Sequence, residues 1–327
     1  MDNSSQSELL DSLVAAYQLS GMPRSIEMIP HYDYVFTLTV GTQRYIAKTG
    51  NDWTDADIRF KIGVQQHLHE IGYPIPAIFL TADGEALYDV GGVGTILMEY
   101  VGSPYDPNRK QQQCDAAATA QGWFHREASK IDGIGTCYWE DDDAGFEYSQ
   151  AFNHNARGFL AEKSLSISNR QHVTDCIDEM EDLLRTARAL LISKDWFRLP
   201  HMPVHGEFSQ YHCRYKGDKI AAVIDWDTVR LAPRIQDVAR AVDVGLGWGA
   251  SVEDHDSFRW QWTDVPEVAD VVHWINCYRE TSPPFSQKEL ELFPYVCAAM
   301  WPTAGGSQVP STEAEVADCA RVVQFMR

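Results

Sequence analysis

Residues 205 to 241, HGEFSQYHCRYKGDKIAAVIDWDTVRLAPRIQDVARA, constrain this chain more than any other stretch. Two polar clusters, His205-Gly206-Glu207 and Asp225-Trp226-Asp227, flank a segment that turns at Gly217-Asp218 and then runs apolar from 220 to 224. A Gly-Asp pair between such runs is a hairpin signal, so the segment reads as loop, strand, tight turn, strand, loop. The hairpin carries Glu207 and Asp225, 18 positions apart, to neighbouring strand ends. Carboxylates gathered at the mouth of a sheet suit a hard divalent cation, which takes oxygen ligands and shares them with substrate phosphates. That is the chemistry of phosphoryl transfer.

Several other readings fall away on composition and motif. A formal charge of −20 argues against unaided nucleic-acid binding, which needs basic patches, and is compatible with a cationic small-molecule substrate. No apolar run reaches the roughly 20 residues that span a bilayer, so no membrane segment is expected. The first residues, MDNSSQSELLDSLVAAYQLSG, lack the basic and apolar regions of a signal peptide, which predicts a cytoplasmic protein. Seven scattered cysteines without a C-x-x-C pair predict reduced thiols rather than a disulfide framework. Among eleven histidines, His67 and His69 are too close to share a helical face, and His201 with His205 sits in a loop, so no dedicated zinc site is expected. There is no G-x-S-x-G elbow for a serine hydrolase, and Gly245, Gly247 and Gly249 follow a helix where a dinucleotide loop would follow a strand. Paired carboxylates such as Glu207 and Asp225 would also serve a glycosidase, but that leaves the rest of the chain unexplained.

The remaining pattern is α+β. Residues 8 to 20 read as a helix with Leu9, Leu10, Leu13, Val14 and Tyr17 inward and Gly21 as its C-cap. From residue 26 the pattern turns to strands, with Tyr34, Phe36 and Leu38 alternating against Val35, Thr37 and Thr39, a turn at Gly41, and a second run ending at Lys48. Residues 54 to 71 predict a helix capped by Thr54 or Asp55, with Ile58, Ile62, Leu68 and Ile71 on one side. Strands follow at 77 to 80 and up to Tyr100, divided by a turn at Asp83-Gly84. A helix over 109 to 129 would turn Ala116, Ala120, Trp123 and Phe124 to a core, with His125 packed or capping. A longer helix over 169 to 193 and helices over 265 to 279, 287 to 300 and the C-terminal tail complete the chain. The acidic run at 140 to 143 reads as a solvated loop or as a rim for a cationic substrate.

Taken together, His205-Gly206-Glu207, His212, Ile224-Asp225-Trp226-Asp227 and Pro233 with Asp237-Val238-Ala239 resemble, in order and spacing, the aminoglycoside phosphotransferase and small-molecule kinase family. That family typically shows H-G-D-x-x-x-x-N, then I-D-[WF]-[DE], then P-x-x-x-D-[LV]-A. This chain is a divergent member of the pattern: Glu207 stands for Asp, His212 for Asn, and Lys61 falls near the position where a helix Glu would pair with the strand Lys, a role Asp57 could take over.

The resemblance implies a two-lobed, protein-kinase-like fold: a sheet-containing nucleotide-binding lobe over 1 to 98, a hinge over 99 to 104, and a mainly helical lobe over 105 to 327. It implies ATP and Mg²⁺ as cofactors and a hydroxyl of an aminoglycoside, amino sugar, choline or homoserine-like molecule as acceptor. Lys48 would hold the α and β phosphates. Glu99 and Tyr100 would present backbone to the adenine, Asp225 and Asp227 would bind the metal, and His212 would sit beside the phosphates. Glu207 would take the hydroxyl proton, His205 would brace the loop, and Asp237 would cap its helix or tie the loop down. The alternative is a catalytically impaired kinase-fold protein that binds nucleotide or a protein partner.

Overall fold

The computed structural model describes residues 3–29, 34–50, 55–90, 93–131, 194–250, 260–262 and 268–304, with scattered positions between 171 and 189. The acidic run at 140 to 143 and the tail helix lie outside them. So does most of the helix expected over 169 to 193, whose described positions are helical.

The sheet-bearing part begins with helix α1 (Asn3–Ala16) and strands β1 (Pro23–Met28), β2 (Val35–Val40) and β3 (Gln43–Gly50). Helix α2 (Asp55–Glu70) and strands β4 (Leu87–Val90) and β5 (Val93–Glu99) complete it. The five strands form one antiparallel sheet in the order β1-β2-β3-β5-β4. Alternation in β2 buries Phe36, Leu38 and Val40 against Leu9, Leu13 and Tyr17 of α1. Each such side chain contributes about 1.5–3 kcal/mol of burial. Helix α1 ends earlier than Gly21 implied. Gln18 takes the left-handed conformation at φ 50°, and Leu19 N–H and Gln18 N–H close on Val14 and Ala15 carbonyls in a Schellman turn. The segment expected as a strand at 77 to 80 keeps a single bridge, Ile78 to Met98: Pro76 has no donor to extend it on one side, and on the other β4 takes over the edge of β5 from Ile96.

Helix α2 buries two faces rather than one. Ile58 and Ile62 pack on Ile96 beneath the sheet, while Phe60, Val64 and Leu68 join Tyr73, Phe124 and Trp226 in the main core. Ile71, expected inward, is exposed. This helix therefore couples the sheet to the helical part.

That part contains α3 (Lys110–Ala128), a short α4 (Lys194–Phe197), β6 (His201–Val204), β7 (Cys213–Lys216), β8 (Lys219–Val223) and β9 (Arg230–Pro233). After them come α5 (Arg234–Gly247), β10 (Trp248–Ala250), β11 (Trp260–Trp262), α6 (Val268–Arg279) and α7 (Gln287–Ala304). The buried face of α3 is set by Cys114, Ala117, Ala118, Phe124 and Ala128, with Ala116 only half-buried, and it also carries Gln113, Gln121 and His125. Cys114, Cys213, Cys277 and Cys297 are free thiols, as expected. No helix of the described residues is long and apolar enough to cross a membrane.

Gly122 lets α3 and α6 approach: a Cβ there would run into the Tyr278 carbonyl and Thr281 Oγ1. In an open helix Gly→Ala gains about 1 kcal/mol of propensity. Here the obstruction is backbone, so overpacking of about 1–3 kcal/mol outweighs that gain. Gly122→Ala is expected to lower the urea midpoint without changing the slope of the transition.

Candidate active site

The site is built on the β7–β8 hairpin and the loops that enter and leave it. Its two-residue tip has Gly217 at φ 67°, as the Gly-Asp signal required, and the strands pair antiparallel from Cys213↔Val223 to Lys216↔Lys219. The hairpin is fastened at both ends. Val223 N–H donates to Pro74 O at 2.7 Å, and Ser103 and Tyr215 exchange backbone bonds of 2.9 and 2.7 Å. Ile224 N–H donates to His212 O at 2.8 Å, which brings the two loops side by side.

The loop at 205 is held from beneath. His205 is fully buried; its Nε2 donates to Ile224 O at 2.9 Å, and Glu207 N–H approaches its Nδ1 at 3.3 Å, which fixes a neutral ring. Gly206, at φ 89°, is a position only glycine fills: a Cβ would lie 2.6 Å from Thr228 O. Its N–H donates to Asp237 Oδ1 at 2.7 Å. Asp237 Oδ2 accepts from His125 Nε2 at 3.0 Å, and Tyr278 O–H donates to His125 Nδ1 at 2.9 Å. Asp237 therefore ties the loop to α3 and α6 rather than capping α5. Gln121 adds a parallel link, donating to Asp237 O at 3.0 Å and accepting from Trp274 Nε1 at 3.1 Å.

Burial pushes the His205 imidazole below its ordinary value, with neighbouring His212 adding to this. Burial also opposes ionisation of Asp237, but the hydrogen bonds it accepts from His125 and the Gly206 N–H outweigh it and hold the carboxyl below the usual range. The signs follow. A depressed His205 contributes stability in full above about pH 6.5, lost as pH falls toward its folded value. Asp237 contributes above about pH 4 and loses that as pH falls further. Unfolding midpoints measured from pH 8 to pH 3.5 are expected to decline below pH 6.5, at no more than about 1.4 kcal/mol per pH unit from this histidine, and faster below pH 4. His205→Asn should flatten the upper limb relative to the parent.

The carboxylates lie above this frame. Asp225 adopts the left-handed conformation at φ 68° and ψ 57°, which Asp tolerates and most residues do not. It lies opposite Lys48, which β3 extends from the sheet. Lys48 Nζ sits 2.7 Å from Asp225 Oδ1 and 2.6 Å from Asp227 Oδ2. Burial opposes the charge of both Lys48 and Asp225. Their mutual attraction wins, raising the lysine and holding Asp225 well below the carboxylate range, with His212 and His205 helping. The other Asp225 oxygen, Oδ2, is 3.5 Å from His212 Nε2, and His212 Nδ1 donates to Glu207 O at 2.6 Å. Glu207 extends its carboxylate from the same loop, 3.6 Å from Arg240 of α5.

The sequence expectations for Lys48, Glu207, His212, Asp225 and Asp227 thus converge on one spot. One donor atom each from Glu207, His212 and Asp225 gather within 4.8 Å, while Asp227 lies against Lys48. Lys61 of α2 accepts a bond from Gln65 through its carbonyl, and the Lys48 ammonium has its carboxylates on the 225 to 227 segment instead of this helix. Glu99 and Tyr100 are exposed at the end of β5, away from this cluster, with the Arg44 guanidinium 3.8 Å from the Tyr100 ring centroid. Sequence reading missed Arg240 and Gln121. Neither belongs to a motif, and only the tertiary packing of α3 and α5 brings them in.

The chain resembles amicoumacin kinase hAmiN, solved with AMP-PNP, Ca²⁺ and Ami, at 15% identity and TM-score 0.61, over 98% of this chain and 92% of that one. It resembles an aminoglycoside phosphotransferase from Alicyclobacillus acidocaldarius at 15% identity and TM-score 0.63, over 100% and 94%. A microcompartment-associated aminopropanol kinase matches at 14% identity and TM-score 0.63, over 98% and 96%. These likenesses establish the two-lobed kinase-like fold. No curated protein matches the chain. The model of the phosphotransferase enzyme family matches residues 31–270, which takes in both Lys48 and the entire 205 to 241 stretch. With that span shared and the fold beneath it the same, the chain belongs to the phosphotransferase enzyme family.

Proposed function

We propose that the chain transfers the γ-phosphoryl group of Mg-ATP to a hydroxyl of a small molecule. The observation that carries this is the meeting of Lys48, from the sheet, with Asp225 and Asp227, from the loop after β8, at 2.7 and 2.6 Å beside the Glu207 loop. A cation and a carboxylate set drawn from two parts of the fold frame a cleft for a polyphosphate. In such a reaction the protein mainly positions groups and offsets charge.

Lys48 exchanges part of its contact with Asp225 and Asp227 for the α and β phosphates. Glu207, half-exposed at the cleft, accepts the proton of the acceptor hydroxyl as the oxygen bonds to phosphorus and the bond to ADP breaks. Arg240 steadies that carboxylate from α5. Backbone around Glu99 and Tyr100 receives the adenine, and residues 1 to 98, 99 to 104 and 105 to 327 act as nucleotide lobe, hinge and substrate lobe. The oxygens of Asp225, with Asp227 and His212 near them, form a donor set that fits a divalent cation. Such an ion, when bound, neutralises charge on the phosphate oxygens.

The acceptor class that best suits the chain is cationic: the formal charge is −20, and kinases of aminopropanol and choline share the fold. A cytoplasmic setting follows from such chemistry. Calorimetry with Mg-ATP, followed by a screen of aminoglycosides, amino sugars, choline and homoserine by ADP release, tests the reading. Millimolar nucleotide without binding would overturn it and favour a kinase-fold protein that binds a partner without catalysis.

A further inference from the structure

The orientation of His212 carries a consequence for the choice of metal, which rests on the phosphotransferase reading above. Its Nδ1 lies 2.6 Å from the Glu207 carbonyl oxygen. A carbonyl only accepts, so Nδ1 carries a proton and Nε2 is the ring atom left to face the carboxylates. Nε2 lies 3.5 Å from Asp225 Oδ2, while Asp225 Oδ1 is engaged by Lys48. Two electron-rich atoms facing one another need a positive charge between them: either a second proton on His212 or a metal ion.

The surroundings suit the metal. One donor atom each from Glu207, His212 and Asp225 lie within 4.8 Å of one another, and His212 Nε2 is the ring atom nearest an Asp225 oxygen, at 3.5 Å. Bonds of about 2.1 Å put neighbouring ligands about 3 Å apart and opposite ones about 4.2 Å apart, so side-chain rotations alone close the set. The donor set pairs one nitrogen with carboxylate oxygen. Mg²⁺ strongly prefers oxygen and keeps its waters, whereas imidazole suits first-row transition ions.

We infer that this site selects a nitrogen-accepting divalent ion, Mn²⁺ or Co²⁺, over Mg²⁺, with His212 Nε2 as a direct ligand beside Asp225, and with the Glu207 carboxylate at its edge left to take the hydroxyl proton. A carboxamide at 212 would supply oxygen in its place and return the preference toward Mg²⁺.

The test uses the full chain in a His273→Ala background. Asp115, His273 and Cys277 form a second cluster, on α3 and α6, whose donor atoms also lie within 4.8 Å and which would otherwise take up the probe ion. Mn²⁺ binding is followed by loss of the free-ion EPR signal, in competition with Mg²⁺, and the bound ion is examined by electron spin echo for coupling to ¹⁴N. The expected result is nitrogen coupling in the parent, absent in His212→Asn, and a Mn²⁺ to Mg²⁺ affinity ratio that falls about tenfold in that variant. Bound Mn²⁺ without nitrogen coupling and with an unchanged ratio would overturn the inference and make His212 the protonated partner of Asp225. No Mn²⁺ binding would overturn it equally. Mg-ATP binding measured on the same samples keeps the two readings apart. If nucleotide binds but nitrogen coupling is missing, the metal inference alone fails. Nitrogen coupling without nucleotide binding under either ion upholds the metal site and removes the phosphotransferase reading.

Discussion

Asp225→Asn is expected to abolish metal-dependent ATP binding and to lower any phosphotransfer by about 10³-fold or more, because charge stabilisation worth several kcal/mol is removed. The substitution is a clean one. Asn, like Asp, tolerates the left-handed backbone at φ 68°, so the loop between β8 and β9 keeps its path. One oxygen survives to accept from Lys48, and the new NH₂ can donate to His212 Nε2. What is lost is the charge that Lys48 meets at 2.7 Å and the second oxygen facing His212 at 3.5 Å. Removing one partner of a partly buried pair also costs stability. Here the Lys48 ammonium retains Asp227 at 2.6 Å, so the loss should stay well below the 3–5 kcal/mol of an orphaned buried charge. The signature is therefore a near-native unfolding midpoint with nucleotide binding gone, read by calorimetry with and without Mg²⁺ or Mn²⁺. Retention of metal-dependent binding within a few-fold of the parent would move the metal away from Asp225.

The hairpin and its flanking carboxylates were legible because their signal is local. Gly217-Asp218 fixes a turn and the turn fixes the register of β7 against β8; from its open end, bonds of Ile224 to His212 and His205 draw the 207 and 225 loops together. Lys48 was legible for the same reason, at the end of an alternating strand. Buried polar residues were not. Gln113 and Gln121 fall outside the apolar stripe expected of α3, yet they sit on its packed face, where Gln121 reaches Asp237 and Trp274; His125, expected to be packed or capping, is buried there too. Arg234 is paired with Glu289 at 2.7 Å between α5 and α7, again a buried pair that periodicity assigns to solvent. Helix α2 failed in the opposite direction. Its apolar positions fall on two faces, and one periodic stripe accounts for Ile58 and Ile62 but not for Phe60 and Val64. What periodicity cannot show is a residue's partner when that partner lies more than 100 positions away, as Asp237 does from His125.

The buried line from Tyr278 through His125 and Asp237 to the Gly206 N–H gives the largest expected loss of stability. Asp237→Ala leaves two groups stranded, the His125 Nε2 proton and the Gly206 N–H, in a region closed to water, while the Tyr278 hydroxyl keeps its bond to His125 Nδ1. Breaking a buried pair in this way costs about 3–5 kcal/mol, against a total of about 5–15 kcal/mol for a folded domain. The methyl side chain also leaves a small void beside Gln121. Asp237→Asn is gentler. Its single oxygen can serve either the Gly206 N–H or His125, and its NH₂ then faces the other donor, so about 1–3 kcal/mol is expected for one unsatisfied group. Asp237 acts on the site through the loop it holds, not on substrate. In Asp237→Asn the loop from His205 to Glu207 should therefore be misplaced while Asp225 and Lys48 are not. Nucleotide binding is then expected to survive, with turnover reduced about a hundredfold, the cost of a shift of about 1 Å at Glu207. A variant whose binding and turnover fall together would place the effect in global unfolding, and one that keeps its unfolding free energy within about 0.5 kcal/mol of the parent would show that the Asp237 network does not hold the loop.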